Sequence, residues 1–213
     1  GTLSRMAIPM GLQTSVTGIG IMTLQGAINA LGTKVVAGVT AGLQINSFFQ
    51  SSLDAVAQTM APYAGQNLGA KKPERISKGV KAAILCGIVL AVASFVLAFF
   101  FGRIAASWFM EVPDAEVLDY AYRVVLSMVG TYVFLIVLNA LRFALQGMGY
   151  TTVAIISGLM EVISRVITAL ILIPKFGFIA VQFAHPMAWL FGDFLLIPAF
   201  IICIRLVKKK LAK

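Results

Sequence analysis

Six long apolar stretches follow one another along the chain, each closed by a short polar turn: Met6–Ala30, Val35–Leu68, Gly79–Met110, Val117–Leu145, Thr151–Ile173 and Phe178–Val207. A hydrocarbon layer roughly 30 Å thick is crossed by about 20 residues of helix. All six stretches reach that length and several exceed it, which predicts tilt or protruding ends. They are continuous apolar runs rather than alternating ten-residue segments, so helices are predicted over a barrel. The expected fold class is all-α: a polytopic membrane protein in which residues 1–213 form a single six-transmembrane-helix bundle.

The turns carry their own signals. Ala30-Leu31-Gly32-Thr33 is a tight connection in which Gly32 can supply a left-handed C-cap. Pro73 and Glu74 open the third helix after the turn that begins at Gly69, and Pro113 and Asp114 do the same for the fourth. Gly147-Met148-Gly149 separates the fourth helix from the fifth, and Pro174 closes the fifth. Pro9, Pro186 and Pro198 lie within apolar stretches and predict kinks that neighbouring groups re-satisfy. Gly38 and Gly42 have the small-xxx-small spacing that lets two helix backbones approach closely. No Pro-, Gly- or Ser-rich linker divides the chain, and no repeat of 20–50 residues is visible.

Composition agrees with the pattern. Hydrophobic residues make up 60% of the chain and charged residues 12%, about half the charged share of a soluble domain. The net charge of +9 raises the question of a nucleic-acid partner, and its placement answers it. One set of alternate turns and ends carries twelve basic residues, among them Lys71, Lys72, Arg75, Arg142, Arg205 and Lys208; the other carries Lys34, Arg103, Arg123 and Lys175. That asymmetry predicts cytoplasmic termini, an acidic outer turn at Glu111, Asp114, Glu116 and Asp119, and a basic rim facing anionic headgroups rather than nucleic acid. The expected location is a bacterial inner (plasma) membrane, with membrane lipids as partners. Cys86 and Cys203 lie inside apolar stretches, with no spacing that suggests a disulfide or a metal site. The opening Gly1-Thr2-Leu3-Ser4-Arg5 reads as the start of a piece of a longer protein.

Charges inside apolar stretches need an explanation. Asp54, Glu161, Arg165 and Asp193 each fall where water is scarce, at a cost of about 2.5–3.5 kcal/mol at the bilayer centre on insertion scales, so each should face protein or a wet cavity. Glu161 and Arg165 are four residues apart with the acid first, the favoured helical pairing. They are either a fixed structural pair or a carboxylate that exchanges a proton or cation. Asp193 has no evident partner on its own helix. Gln13, Thr17, Asn46 and Gln50 form an uncharged polar set; Asn46, Gln50 and Asp54 share one helix face and predict a border to an aqueous cavity. His185, next to Pro186, reads as a structural histidine. There is no nucleophile motif, metal set or Gly-rich phosphate loop, so an enzyme is not expected.

In order along the chain, Ala7-Ile8-Pro9-Met10, Asn29-Ala30-Leu31-Gly32, Gly65-Gln66-Asn67-Leu68-Gly69-Ala70 with Glu74-Arg75, and Leu141-Arg142 followed by Leu145-Gln146-Gly147-Met148-Gly149 resemble the multidrug and toxic-compound extrusion (MATE) family. The likeness covers nearly the whole chain, and its specificity lies in the order of the motifs rather than in any one of them. The resemblance implies two six-helix lobes around a central cleft. It implies a 12-helix antiporter that exports organic cations and other amphipathic compounds by alternating access, coupled to H+ or Na+. This chain would be the C-terminal lobe, for which the basic tail and the Gly-Gln-Asn-Leu-Gly-Ala motif speak. Its partners would then be the missing N-terminal lobe and small cationic or amphipathic substrates, with no cofactor beyond the coupling ion. Several family members carry an acid in the first helix of this lobe and another in the fourth. Here Met6–Ala30 has none, and the fourth helix is uncharged from Val124 to Leu141. Coupling then falls to Glu161, Asp193 or Asp54, or to the missing lobe. The rival functions are a lipid-linked saccharide flippase of the same superfamily and a non-transporting scaffold or channel subunit.

Overall fold

The computed structural model describes residues 17–109 and 114–211, and every regular element among them is helical. The expectations for Pro9, Gln13, Glu111 and Pro113 lie outside the described residues. α1 covers 17–29. It is followed by α2 Thr33–Gln58, α3 Met60–Gly69, α4 Pro73–Ser107, α5 Ala115–Val129, α6 Tyr132–Gly147, α7 Thr151–Ile167, a π-helical turn Thr168–Leu172, α8 Ile173–Phe176 and α9 Phe178–Leu211. Among the described residues three rods are individually long and apolar enough to cross a membrane, Pro73–Ser107, Thr151–Phe176 and Phe178–Leu211; α5 and α6 make a fourth if taken as one span bent by 50°.

Several boundaries depart from the sequence expectation. The second stretch is interrupted at Thr59, between α2 and α3. The third helix, by contrast, begins at Pro73 as expected, with Pro at its first turn and Glu74 beside the positive end of its dipole. The fourth is two helices, because Gly130 and Thr131 leave the helical ladder. The fifth does not close at Pro174. A proline in a helix clashes with the carbonyl four residues back, here that of Leu170, and the chain widens into the π turn just before it. It closes at Gly177, whose φ of 57° suits a residue without Cβ. Pro186 and Pro198 both lie within the continuous α9. Gly32 adopts φ 100° and ψ 162°, open to glycine but not the expected αL C-cap; it is the residue that precedes α2.

Small residues set the closest packing. A Cβ on Gly38 would collide with Cβ of Tyr120 and lie 2.9 Å from the Val117 carbonyl oxygen; one on Gly42 would lie 3.0 Å from the Ala121 carbonyl oxygen. The expected small-xxx-small contact is therefore that of α2 with α5. A Cβ on Gly147 would collide with the Ala61 carbonyl, which brings the ends of α3 and α6 together. At the other end, Lys34 Nζ lies 3.1 Å from Asp114 Oδ2 and 2.8 Å from Glu116 Oε2. Asp114 also caps α5, its Oδ1 accepting from the Glu116 amide at 2.8 Å. Alternate turns thus meet at the same end, as an up-and-down bundle requires. The hydrogen bonds to Glu116 and Asp114, followed by their charges, push the Lys34 pKa up to about 12, and Lys34 holds both carboxyls below their usual range.

The core runs through Leu53, Ile76, Tyr132, Ile136, Leu138 and Leu196, all nearly inaccessible. The outer surface is equally apolar. Leu85, Val89, Val92, Val96, Phe100 and Phe101 of α4 are exposed. A continuous face of this kind has no place against water and suits hydrocarbon.

Candidate functional site

The polar stripe of α2 is a directed chain of hydrogen bonds. Asn46 Nδ2 donates to Gln50 Oε1 at 3.2 Å, and Gln50 Nε2 donates to Asp54 Oδ2 at 3.3 Å, each step one helical turn. From α6, Asn139 Nδ2 donates to Asp54 Oδ1 at 2.8 Å. An ionised carboxylate only accepts, so Gln50 and Asn139 must present their NH2 groups. Gln50 then offers its carbonyl to Asn46, and Asn46 offers its own to the Tyr132 hydroxyl at 2.7 Å. Tyr132 follows directly on the α5–α6 break, so that bend is what brings its ring under α2.

This stripe forms one wall of an open cavity of about 430 Å3. Asn46, Ser47, Gln50, Ser51 and Asp54 supply the polar side, and Thr17 and Ile21 of α1 stand beside it. Met128 of α5, Arg165 of α7, and His185 and Trp189 of α9 complete the lining. Asp54 has no Lys or Arg within ion-pairing distance among the described residues. It is the carboxylate left available to whatever enters.

Behind the cavity lies a buried charge cluster. The Glu161 side chain is 4% exposed and stands between two guanidinium groups: Oε2 accepts from Arg165 Nη2 at 3.2 Å, and Oε1 is in direct contact with Arg142 Nη2. The expected Glu161–Arg165 pair is present, whereas Arg142, expected on the basic rim, points into the bundle and pairs with Glu161. Its side chain is only 13% exposed, because Arg142 lies a turn inside the end of α6, on the face that α7 covers. Ser157 accepts from Arg142 Nε at 3.4 Å. Asp193 of α9 is 3% exposed and close enough to feel the charges of Arg142 and Glu161, and its Oδ1 has no hydrogen-bond partner among the described residues. Arg165 Nε and Nη1 are also buried without partners among the described residues.

Of the predicted site residues, Thr17, Asn46, Gln50, Asp54 and Arg165 are brought together around one cavity. Glu161 and Asp193 sit behind its wall, and Gln13 lies outside the described residues. Sequence reasoning missed Arg142, Asn139, Tyr132 and Trp189. Asn139 and Arg142 could have been found by following α6 inward from its end at one-turn spacing. His185, read as structural, lines the cavity. Among the described residues no group of His, Cys, Asp and Glu is assembled to hold a metal.

Comparison with known proteins bears on the fold that carries this cavity. The sequence matches the MatE family over residues 9–171. No curated protein matches it. Among solved structures, a MATE protein described in its bent conformation superposes with TM-score 0.81 at 14% identity, covering 92% of this chain and 44% of that one. An outward-facing multidrug resistance MATE transporter of the MOP superfamily gives 0.77 at 15% identity, with 92% and 43% covered. A MOP-superfamily transporter from Pyrococcus furiosus, described as having a binding pocket of reverse polarity, gives 0.77 at 15%, again with 92% and 43% covered. At these identities the likeness is one of fold. The chain spans less than half the length of the structures it matches.

Proposed function

We propose that this chain, which belongs to the MatE family of membrane transporters, forms one six-helix lobe of a 12-helix exporter that moves organic cations outward in exchange for H+ or Na+. Membership makes it an integral membrane transporter rather than an enzyme, with lipid around its apolar face. Beyond that, the single-lobe reading is supported by the 92% coverage of this chain against 43–44% of the matched structures. It is also supported by six helical rods: α1, α2 with α3, α4, α5 with α6, α7 with α8, and α9. The basic tail favours the C-terminal lobe, and the uneven basic turns favour cytoplasmic termini in a bacterial inner membrane.

The observation that carries the exporter reading is Asp54, a carboxylate on a cavity wall that two amide donors orient and that no Lys or Arg among the described residues approaches to ion-pairing distance. An organic cation would find there an oriented acceptor in a poorly hydrated site, the setting in which charge-assisted hydrogen bonds are strong. Glu161 has the opposite character. Both of its oxygens are already engaged by guanidinium groups, which favours a fixed structural pair over an exchangeable one. Coupling then falls to Asp54, Asp193 or the other lobe. A lipid-linked saccharide flippase would need several cationic residues on the cavity walls for a pyrophosphate, and among the described lining residues Arg165 is the one Lys or Arg.

Reconstituted into liposomes from its native gene, the transporter is expected to move a fluorescent organic cation under an imposed proton or sodium gradient and to stop when both collapse. Movement of a lipid-linked saccharide, indifferent to either gradient, would replace the exporter by the flippase.

A further inference from the structure

We propose that Tyr132 is a positioning residue for Asp54: its hydroxyl, delivered by the α5–α6 bend, fixes the polarity of the amide chain that ends on the carboxylate. The inference rests on the export reading for what Asp54 receives, and on hydrogen-bond chemistry for how Asp54 is held. The bend is furnished with its own partners. The Thr131 amide turns to the Met128 carbonyl at 3.1 Å, so the Ser127 carbonyl loses its usual donor four residues on. The Thr131 hydroxyl takes that place, donating to Ser127 at 2.7 Å. The next residue is Tyr132, the first of α6.

The Tyr132 side chain is fully buried, with Trp189 of α9 packed near it at 6.1 Å between ring centroids. The acceptors it meets both belong to Asn46, Oδ1 at 2.7 Å and the backbone carbonyl at 3.1 Å. A phenol donates one proton, and the shorter contact is to the side chain. With Oδ1 so engaged, Asn46 turns Nδ2 to Gln50 Oε1, and Gln50 is left to turn Nε2 to Asp54. An amide turned end for end fills the same space, so shape does not choose between the two polarities. Asp54 chooses at one end of the chain and Tyr132 at the other.

One rigid rod serves both ends. Asn139, whose Nδ2 donates to Asp54 Oδ1 at 2.8 Å, lies about two turns along α6 from Tyr132 and so on the same face. α6 therefore grips the stripe of α2 at Asn46 and again at Asp54. Without the Tyr132 hydroxyl, Asn46 is free to turn its carbonyl towards Gln50. Gln50 then follows, and its own carbonyl meets an ionised carboxylate where a donor stood. A carboxylate whose donors are preset receives a cation without reorganisation, whereas one beside an alternating amide does not.

The test compares wild type, Tyr132→Phe, Asp54→Asn and the double variant, each expressed from the native gene and purified into lipid nanodiscs. The infrared band of the Asp54 carboxyl group, identified as the one lost in Asp54→Asn, is expected to shift in Tyr132→Phe. Binding of the fluorescent diamidine DAPI is expected to weaken about three- to tenfold in Tyr132→Phe, the effect of losing one hydrogen bond. An asparagine in place of Asp54 offers both a donor and an acceptor and suits either polarity. In the Asp54→Asn background, Tyr132→Phe should therefore weaken binding no further. Asn46→Leu, which cuts the chain in its middle, should give the same infrared shift and serves if Tyr132→Phe fails to fold. An unmoved carboxyl band would overturn the inference and leave the export reading standing. An equal loss of binding in both backgrounds would also overturn it, making Tyr132 a packing residue. Failure of gradient-driven transport would remove the export reading separately, and the infrared band would still decide the role of Tyr132.

Discussion

At the scale of the residue, the arrangement turns on how many partners each charge has. Glu161 has two guanidinium partners, and its removal would leave both buried and unpaired. Breaking a buried ion pair by deleting one partner costs about 3–5 kcal/mol. Glu161→Gln is therefore expected to lower stability by roughly that amount, read from thermal or SDS unfolding in lipid micelles. A change within about 0.5 kcal/mol would mean that Arg142 and Arg165 find other partners. Glu161 and Arg165 were legible in the sequence because their partnership is local, four positions on one helix. Arg142 was not, since its partner stands 19 residues ahead on another helix and its own position near a turn resembles a rim. The orientation of Asn46 and Gln50 was legible as a shared face, but the donor that starts the chain, Tyr132, comes from the far side of a bend.

At the scale of the element, close approach and end tethers fix the bundle. A side chain at Gly38 has no room against Tyr120 and Val117, whereas a Cβ on Gly26 would meet nothing within 4 Å. Gly38→Leu should destabilise by at least about 1–3 kcal/mol, the range for overpacking. Gly26→Ala should be neutral or slightly stabilising, as alanine is the better helix former. Equal effects in the same unfolding assay would contradict the α2–α5 contact. The Lys34 tether has a defined pH window. The depressed carboxyls of Asp114 and Glu116 contribute fully above their ordinary pKa near 4 and lose their contribution as pH falls through their lowered values. Lys34 contributes fully below its ordinary value near 10.4 and loses its part only towards about 12. Spin labels flanking residues 33 and 115 should hold a constant, narrow distance from pH 6 to 9 and broaden near pH 3. No broadening would assign the contact of these ends to apolar packing alone. The rods and their order were legible from apolar length. The π turn and the α5–α6 break were not, because each answers a tertiary demand: relief around Pro174, and delivery of Tyr132 to α2.

At the scale of the whole molecule, an apolar outer face and a cavity give the two tryptophans opposite surroundings. Trp108, at the end of α4, is 80% exposed, and Trp189, on the cavity, is 4% exposed. Brominated lipids should quench a variant retaining only Trp108 far more than one retaining only Trp189; equal quenching would place α9 at the lipid face. The family and the membrane setting were readable from ordered motifs and apolar length, whereas the cavity needed three-dimensional packing to appear. The most direct test of the central claim, that Asp54 is the acceptor for a transported cation, is efflux of a fluorescent organic cation from cells expressing the native gene beside its Asp54→Asn variant. The account predicts at least a tenfold loss of export with folding and membrane level unchanged. Export undiminished in the variant would contradict it.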